Sequence, residues 1–220
     1  MTNVLYRVVE IHGKDFGTGF FIEVEGLQYF ITAAHLIDSS ATSIRIFFNG
    51  IFNALPCKVL SISERNDLAV ICLSEIIVET FPVPLDYGHL GYGQHVFFLG
   101  FPFNDKGPVT ELLGRDFPFP FVKWGAISLL DFGSPTGTLI LDAMNNPGFS
   151  GGPVCFTTES GEQKIAGMII GLKEEWRTLE EPDAVIDKKN RYYKQNTGIT
   201  YAISSKVIKD QILRLRTHSL

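Results

Sequence analysis

The segment Asn146-Pro147-Gly148-Phe149-Ser150-Gly151-Gly152-Pro153 sets one serine among glycines. Gly148 can adopt torsions that a side chain forbids and so turn its N–H toward a site. The N–H groups of Gly148 and Ser150 can then converge on a developing oxyanion. Gly151 and Gly152 keep the space beside the hydroxyl open. A second segment, Ile31-Thr32-Ala33-Ala34-His35, places small residues before a histidine and leaves room for an imidazole facing a cleft. A third, Glu64-Arg65-Asn66-Asp67-Leu68-Ala69-Val70, sets a carboxylate just before an apolar run. Each has an ordinary reading by itself. Serine among glycines suits a hairpin turn, a lone histidine is commonly a surface or satisfied core residue, and aspartate is a common turn former. Together they supply a nucleophile, a base and a group to orient the base, which is the chemistry of acyl transfer.

The elements that must position these groups read as β. Short apolar or alternating runs are separated by turn residues, and they carry the Val, Ile, Phe and Tyr that suit a pleated, half-buried surface. Strands are expected over Val4–Ile11, Gly19–Val24, Tyr29–Thr32, Ser43–Phe48, Cys57–Ile62, Ala69–Leu73, Gln94–Leu99, Lys123–Leu130, Thr138–Leu141, Pro153–Phe156, Lys164–Gly171 and Thr200–Ile203. One segment has helical spacing: Val207, Ile208, Ile212, Leu213 and Leu215, after Ser204 and Ser205 as candidate caps. A dozen short strands in 220 residues suit two six-stranded antiparallel β-barrels, all-β, closed by a C-terminal helix. The expected division is a first barrel over 1–83 with His35 and Asp67, a second over 84–203 with Gly148 and Ser150, and helix and tail over 204–220. Pro82–Gly93 is the expected crossover. Asn104–Phe121, with three prolines, reads as a stiffened flap, and Lys173–Gly198 as a long charged loop.

Composition narrows the function classes. Hydrophobic residues make 45% and charged residues 20% of the chain, enough for a sizeable core and unlike disorder. A net charge of −5 argues against a nucleic-acid surface. The longest apolar runs are far short of the about twenty residues of a spanning helix, so no membrane partner is expected. The N-terminus shows no secretory signal. Three cysteines make no complete disulfide framework, so a cytoplasmic protein with free thiols is expected. No His/Cys cluster has zinc-ligand spacing and no P-loop is present, so neither metal nor cofactor is expected.

With the order His, Asp, Ser and intervals of 32 and 83 residues, the chain resembles the trypsin-like (chymotrypsin-fold) serine proteases. The flavour is bacterial HtrA/Deg-like, without the PDZ domain those proteins carry after the last helix. Leu141–Gly148, Phe98–Pro102, Trp124–Ser128 and Thr200–Ser204 resemble further segments of that family. The resemblance implies that Ser150 attacks the scissile carbonyl, His35 relays its proton and Asp67 orients the imidazole. It also implies a Gly148/Ser150 oxyanion hole and a substrate-binding strand at Ile170, Gly171 and Leu172. Met144 would lie near the floor of the specificity pocket. With no acid there, an apolar residue before the scissile bond is expected. Partners are then protein or peptide substrates, with the 173–198 segment a candidate regulatory contact. Secreted relatives carry an aspartate directly before the nucleophile, where this chain has Phe149. That ring is expected to pack in the second barrel, against Phe117, Phe119 or Phe121. The alternative readings are a binding module that keeps the fold, a partner-gated enzyme with a silent site, and an esterase or transferase.

Overall fold

Ser43–Phe48 alternates exposed and buried residues, with Ile44, Ile46 and Phe48 inward, the period-2 signature of a half-buried strand. The chain repeats this plan throughout the computed structural model, which describes residues 2–78, 84–112, 114–131, 133, 137–178 and 192–217. The first half contains a helical turn α1 (Thr2–Leu5), β1 (Val8–His12), β2 (Phe16–Val24), β3 (Leu27–Ala33), β4 (Ser43–Phe48), β5 (Ile51–Ser63) and β6 (Leu68–Leu73). The second contains β7 (His95–Gly100), β8 (Val109–Leu112), β9 (Arg115–Pro118), β10 (Phe121–Asp131), β11 (Thr138–Asp142), β12 (Pro153–Thr157), β13 (Gln163–Thr178), β14 (Tyr192–Ser204) and the helix α2 (Ser205–Thr217).

Two closed barrels result, ordered β1-β2-β3-β6-β5-β4 and β10-β11-β14-β13-β12-β7. Tight turns set their registers. Asn49 and Gly50 both have positive φ between β4 and β5, the geometry of a two-residue hairpin. The first barrel closes through Ile11↔Ile46 and His12↔Arg45, the second through Val154↔Phe98 and Cys155↔Phe97. Strand β7 serves two cores: Val96 and Phe98 join the second-barrel cluster, while Phe97 and Leu99 join the cluster that fills the first barrel and the seam. Helix α2 buries Ile208 and Ile212 and returns to the first barrel through Gln211 Nε2 to Ser61 Oγ (2.6 Å) and Arg216 with Glu25 (3.1 Å).

Several expectations change. Val4 belongs to the helical turn, so the first strand starts only at Val8. The Asn104–Phe121 flap contains the two-stranded β8–β9 ribbon. The charged 173–198 segment is not a loop at its ends. Pairs from Glu174↔Asn196 to Thr178↔Tyr192 extend β13 and β14 as an arm, and 179–191 lie outside the described residues. Pro82 and Val83, at the expected crossover and domain boundary, also lie outside them. Among the described residues the Ser204 and Ser205 hydroxyls find no hydrogen-bond partner, so neither caps α2 through its side chain. Cys57, Cys72 and Cys155 are free. Cys57 pairs with Leu73, so it and Cys72 lie on opposite faces of the sheet and do not meet. No helix among the described residues is long and apolar enough to cross a membrane.

Candidate active site

His35 and Asp67 meet because β3 and β6 are neighbours. The register Ala33↔Leu68 leaves His35 just past the end of one strand and Asp67 just before the other. His35 sits in the short 3-10 turn Ala34–Leu36, and Asp67 ends the turn Glu64–Asn66 in the left-handed conformation (φ 48°, ψ 45°). Aspartate is among the few non-glycine residues that visit that conformation readily. The grip between them has three parts. The Ala34 N–H donates to the Asp67 carbonyl (3.1 Å), the His35 N–H to Asp67 Oδ1 (2.9 Å), and the ring Nδ1 lies 2.7 Å from Asp67 Oδ2. An N–H at Nδ1 leaves Nε2 as the basic nitrogen. The hydrogen bond to Asp67 holds the imidazole pKa above the ordinary 6.5, against the opposing effect of burial.

The loop around Ser150 is best read by following its backbone groups. Every carbonyl from 146 to 150 is taken. Asn146 O accepts from Phe149 N–H (3.3 Å), Pro147 O from Phe103 N–H (3.0 Å), Gly148 O from Thr18 Oγ1 (2.7 Å), Phe149 O from Gly152 N–H (2.9 Å) and Ser150 O from Thr18 N–H (2.9 Å). The donors divide differently. Asn146 N–H goes to Asn145 Oδ1, and Gly151 N–H to Ile169 O. Among the described residues the N–H groups of Gly148 and Ser150 have no acceptor. Gly148 holds φ at +101°, and a Cβ there would stand 2.1 Å from the Phe101 carbonyl oxygen. Only glycine fits.

Gly148 and Ser150 both line one cleft of about 340 Å³, together with Asp15, Phe16, His35 and Phe103, among others. The structure thus brings His35, Asp67, Gly148 and Ser150 to one place. The nucleophilic hydroxyl, a base with its ring orientation fixed and two unfilled donors form a set able to attack a carbonyl and hold the resulting negative charge.

The expected substrate-binding residues are placed as follows. Ile170, Gly171 and Leu172 are half-buried on β13, past the last β12 pair at Met168, so among the described residues that edge has no strand partner. Met144 is 55% exposed, and its carbonyl accepts from Lys123 Nζ (2.8 Å), which also reaches Asn146 Oδ1. Phe149 is fully buried, but its ring partner is Phe98, edge-on at 5.1 Å, rather than Phe117, Phe119 or Phe121. Phe117 instead packs on Phe48 and Phe119 on Tyr6. Two residues went unseen in the sequence. Buried Asn145 ties the loop to β13 through Nδ2 to Gly171 O (3.3 Å), and buried Thr18 ties it to β2. A polar residue inside a strand that otherwise turns inward was the only signal for Thr18.

The family model for the trypsin-like peptidase domain matches residues 17–162, a stretch that contains His35, Asp67 and Ser150. Comparison with individual curated proteins gives no match.

Proposed function

Since the chain belongs to the trypsin-like peptidase family, we propose that it is a serine endopeptidase working through Ser150, His35 and Asp67. Ser150 Oγ attacks the scissile carbonyl carbon while His35 Nε2 takes the hydroxyl proton. The carbonyl π electrons move onto oxygen, and the N–H groups of Gly148 and Ser150 receive that oxyanion. Asp67 holds the imidazole and stabilises its protonated form. The C–N bond then breaks, His35 passes its proton to the leaving amine, and an acyl-enzyme remains on Ser150. Water repeats the cycle with His35 as base and releases the acid. The open edge of β13 at Ile170–Leu172 would pair with substrate backbone, and the exposed thioether of Met144, with no acid beside it in sequence, favours an apolar residue before the cut. Free thiols at Cys57, Cys72 and Cys155 support a reducing, cytoplasmic setting.

One observation carries this reading: the loop satisfies all its carbonyls and leaves only the two N–H groups that an oxyanion needs, beside a histidine already gripped by a carboxylate. The test treats wild type and Ser150→Ala with a fluorophosphonate probe and then offers unfolded protein and short esters. Ser150-dependent labelling with peptide cleavage is expected. No labelling would instead favour a silent or partner-gated site, and ester turnover without peptide cleavage a different acyl transferase.

A further inference from the structure

Thr18 is fully buried in β2 of the first barrel, yet most of its hydrogen bonds go to the second. Its N–H donates to Ser150 O (2.9 Å) and its hydroxyl to Gly148 O (2.7 Å). The same hydroxyl oxygen accepts from Phe101 N–H (3.2 Å), where the chain leaves β7. Its own carbonyl accepts from Thr32 Oγ1 (2.7 Å), which anchors the residue in its barrel. Among the described residues no other reaches two of the five loop carbonyls. The space around it is cleared by glycine: a Cβ on Gly151 (φ +83°) would lie 2.0 Å from Thr18 O, and one on Gly100 would lie 2.9 Å from Thr18 Oγ1.

We infer that Thr18 is a positioning residue of the oxyanion hole, a clamp through which the first barrel steadies the peptide planes on either side of the Ser150 N–H in the second. The inference rests on the peptidase reading above and deepens it.

Each peptide is a rigid plane, so holding its carbonyl fixes where the attached N–H points. Phe103 N–H holds Pro147 O, in the plane that contains the Gly148 N–H. Thr18 holds the planes on either side of the Phe149–Ser150 peptide, the one that contains the Ser150 N–H. That middle plane is itself held at Phe149 O by the Gly152 N–H (2.9 Å), and with both flanking planes pinned as well it has little room to turn. The side chain suits the task. A β-branched residue in a strand has restricted χ1, so its hydroxyl stays where the backbone puts it. The residue before the nucleophile, Phe149, has no polar atom in its side chain and fills the core against Phe98. Asn145, Lys123 and the Phe103 N–H hold the loop before Gly148, and Thr18 holds the carbonyls of Gly148 and Ser150 themselves while touching neither His35 nor the space an oxyanion would occupy. It acts through Gly148 and Ser150.

The test compares Thr18→Val, which keeps the shape and removes the hydroxyl, with Thr18→Ser, which keeps the hydroxyl. Loss of a whole oxyanion donor lowers turnover ~10²–10³-fold, and here the donors remain but are loosened. Thr18→Val should therefore lower kcat ~10–100-fold with KM nearly unchanged, the pattern of an interaction felt in the transition state. Thr18→Ser should restore most of the rate. Amide NMR gives a readout independent of turnover: the Gly148, Phe149 and Ser150 signals should broaden or split in Thr18→Val and stay single in Thr18→Ser. Should Thr18→Val not fold, Thr18→Cys replaces it, with a weaker hydrogen-bonding group of similar size, and an intermediate loss of kcat is expected. An active wild type whose kcat and loop amides are unchanged in the folded variant overturns the clamp. Loop amides that change in Thr18→Val while wild type neither labels nor cleaves would sustain the clamp and overturn the peptidase reading instead.

Discussion

Gly148→Ala puts a single methyl group where the loop has no room for it. The added carbon would stand 2.1 Å from the Phe101 carbonyl oxygen, 3.0 Å from its carbonyl carbon and 3.1 Å from Pro102 Cα. All three are backbone atoms of one segment, so no side chain can swing aside. Alanine is also strained at φ +101°, and holding a residue in so sparsely populated a conformation costs about 1–3 kcal/mol. The loop must therefore move by ~1 Å or turn its peptide, and a displacement of that size at a reacting centre can lower a rate ~10²-fold. Removing one oxyanion donor gives a similar figure, ~10²–10³ in kcat or about 2.7–4 kcal/mol of transition-state stabilisation. Steady-state hydrolysis of a short ester should show kcat reduced by that factor with KM changed only a few-fold, and thermal melting should fall by several degrees, as ~1–3 kcal/mol implies for a chain of this size. An alanine variant that melts with wild type and keeps kcat within about threefold would refute the assignment of the Gly148 N–H to the oxyanion.

The pH profile tests His35. The imidazole must be neutral to take a proton, and its pKa is held above 6.5 by Asp67. The acidic limb of kcat/KM should therefore lie above pH 6.5, and Asp67→Asn should move it down while lowering kcat ~10⁴-fold through loss of the orienting carboxylate. Stability runs the other way: the His35–Asp67 interaction stabilises the fold fully below the unfolded pKa and fades as pH rises through the folded one. Phe149→Asn removes a fully buried ring from the Phe98 contact and leaves an amide in its place. Urea denaturation should show about 3–5 kcal/mol lost, with activity falling alongside, and an unchanged midpoint would contradict the packing role.

What could be read in the sequence was local. His35, Asp67 and Ser150 each sit in a short motif whose residue types suit their surroundings, and the β3–β6 ladder then delivers the first two to each other. Alternation along β4 and the neighbouring strands was equally plain, and so was the helical spacing of Ile208 and Ile212. What escaped was set by distance along the chain. Thr18 lies 130 residues from the carbonyl its hydroxyl holds, and nothing near it signals the contact. Phe149 was expected to choose among the rings of 117–121, but β7 turns Phe98 toward the second core and those rings face elsewhere. The arm of β13 and β14 was hidden for a different reason. Its residues are mostly charged or polar, so no burial pattern marks it, and backbone pairing alone makes it strand.

That arm has a consequence for solubility. A closed ring consumes the hydrogen-bonding capacity of its strands, and strands in both barrels find neighbours on either side. Where β13 and β14 run past the ring, at Glu174–Thr178 and Tyr192–Asn196, each has only the other as a strand partner among the described residues, and the outer backbone row of each faces away from that partner. Such rows are templates for adding a further strand from a second molecule. The side chains oppose it. Lys194 pairs with Glu174 (2.9 Å) and Arg177 with Glu175 (3.2 Å), placing alternating charge along a ribbon that also exposes Trp176 and Tyr192. Stripping those charges while keeping the aromatics would turn a tolerated projection into a nucleus for intermolecular sheet growth.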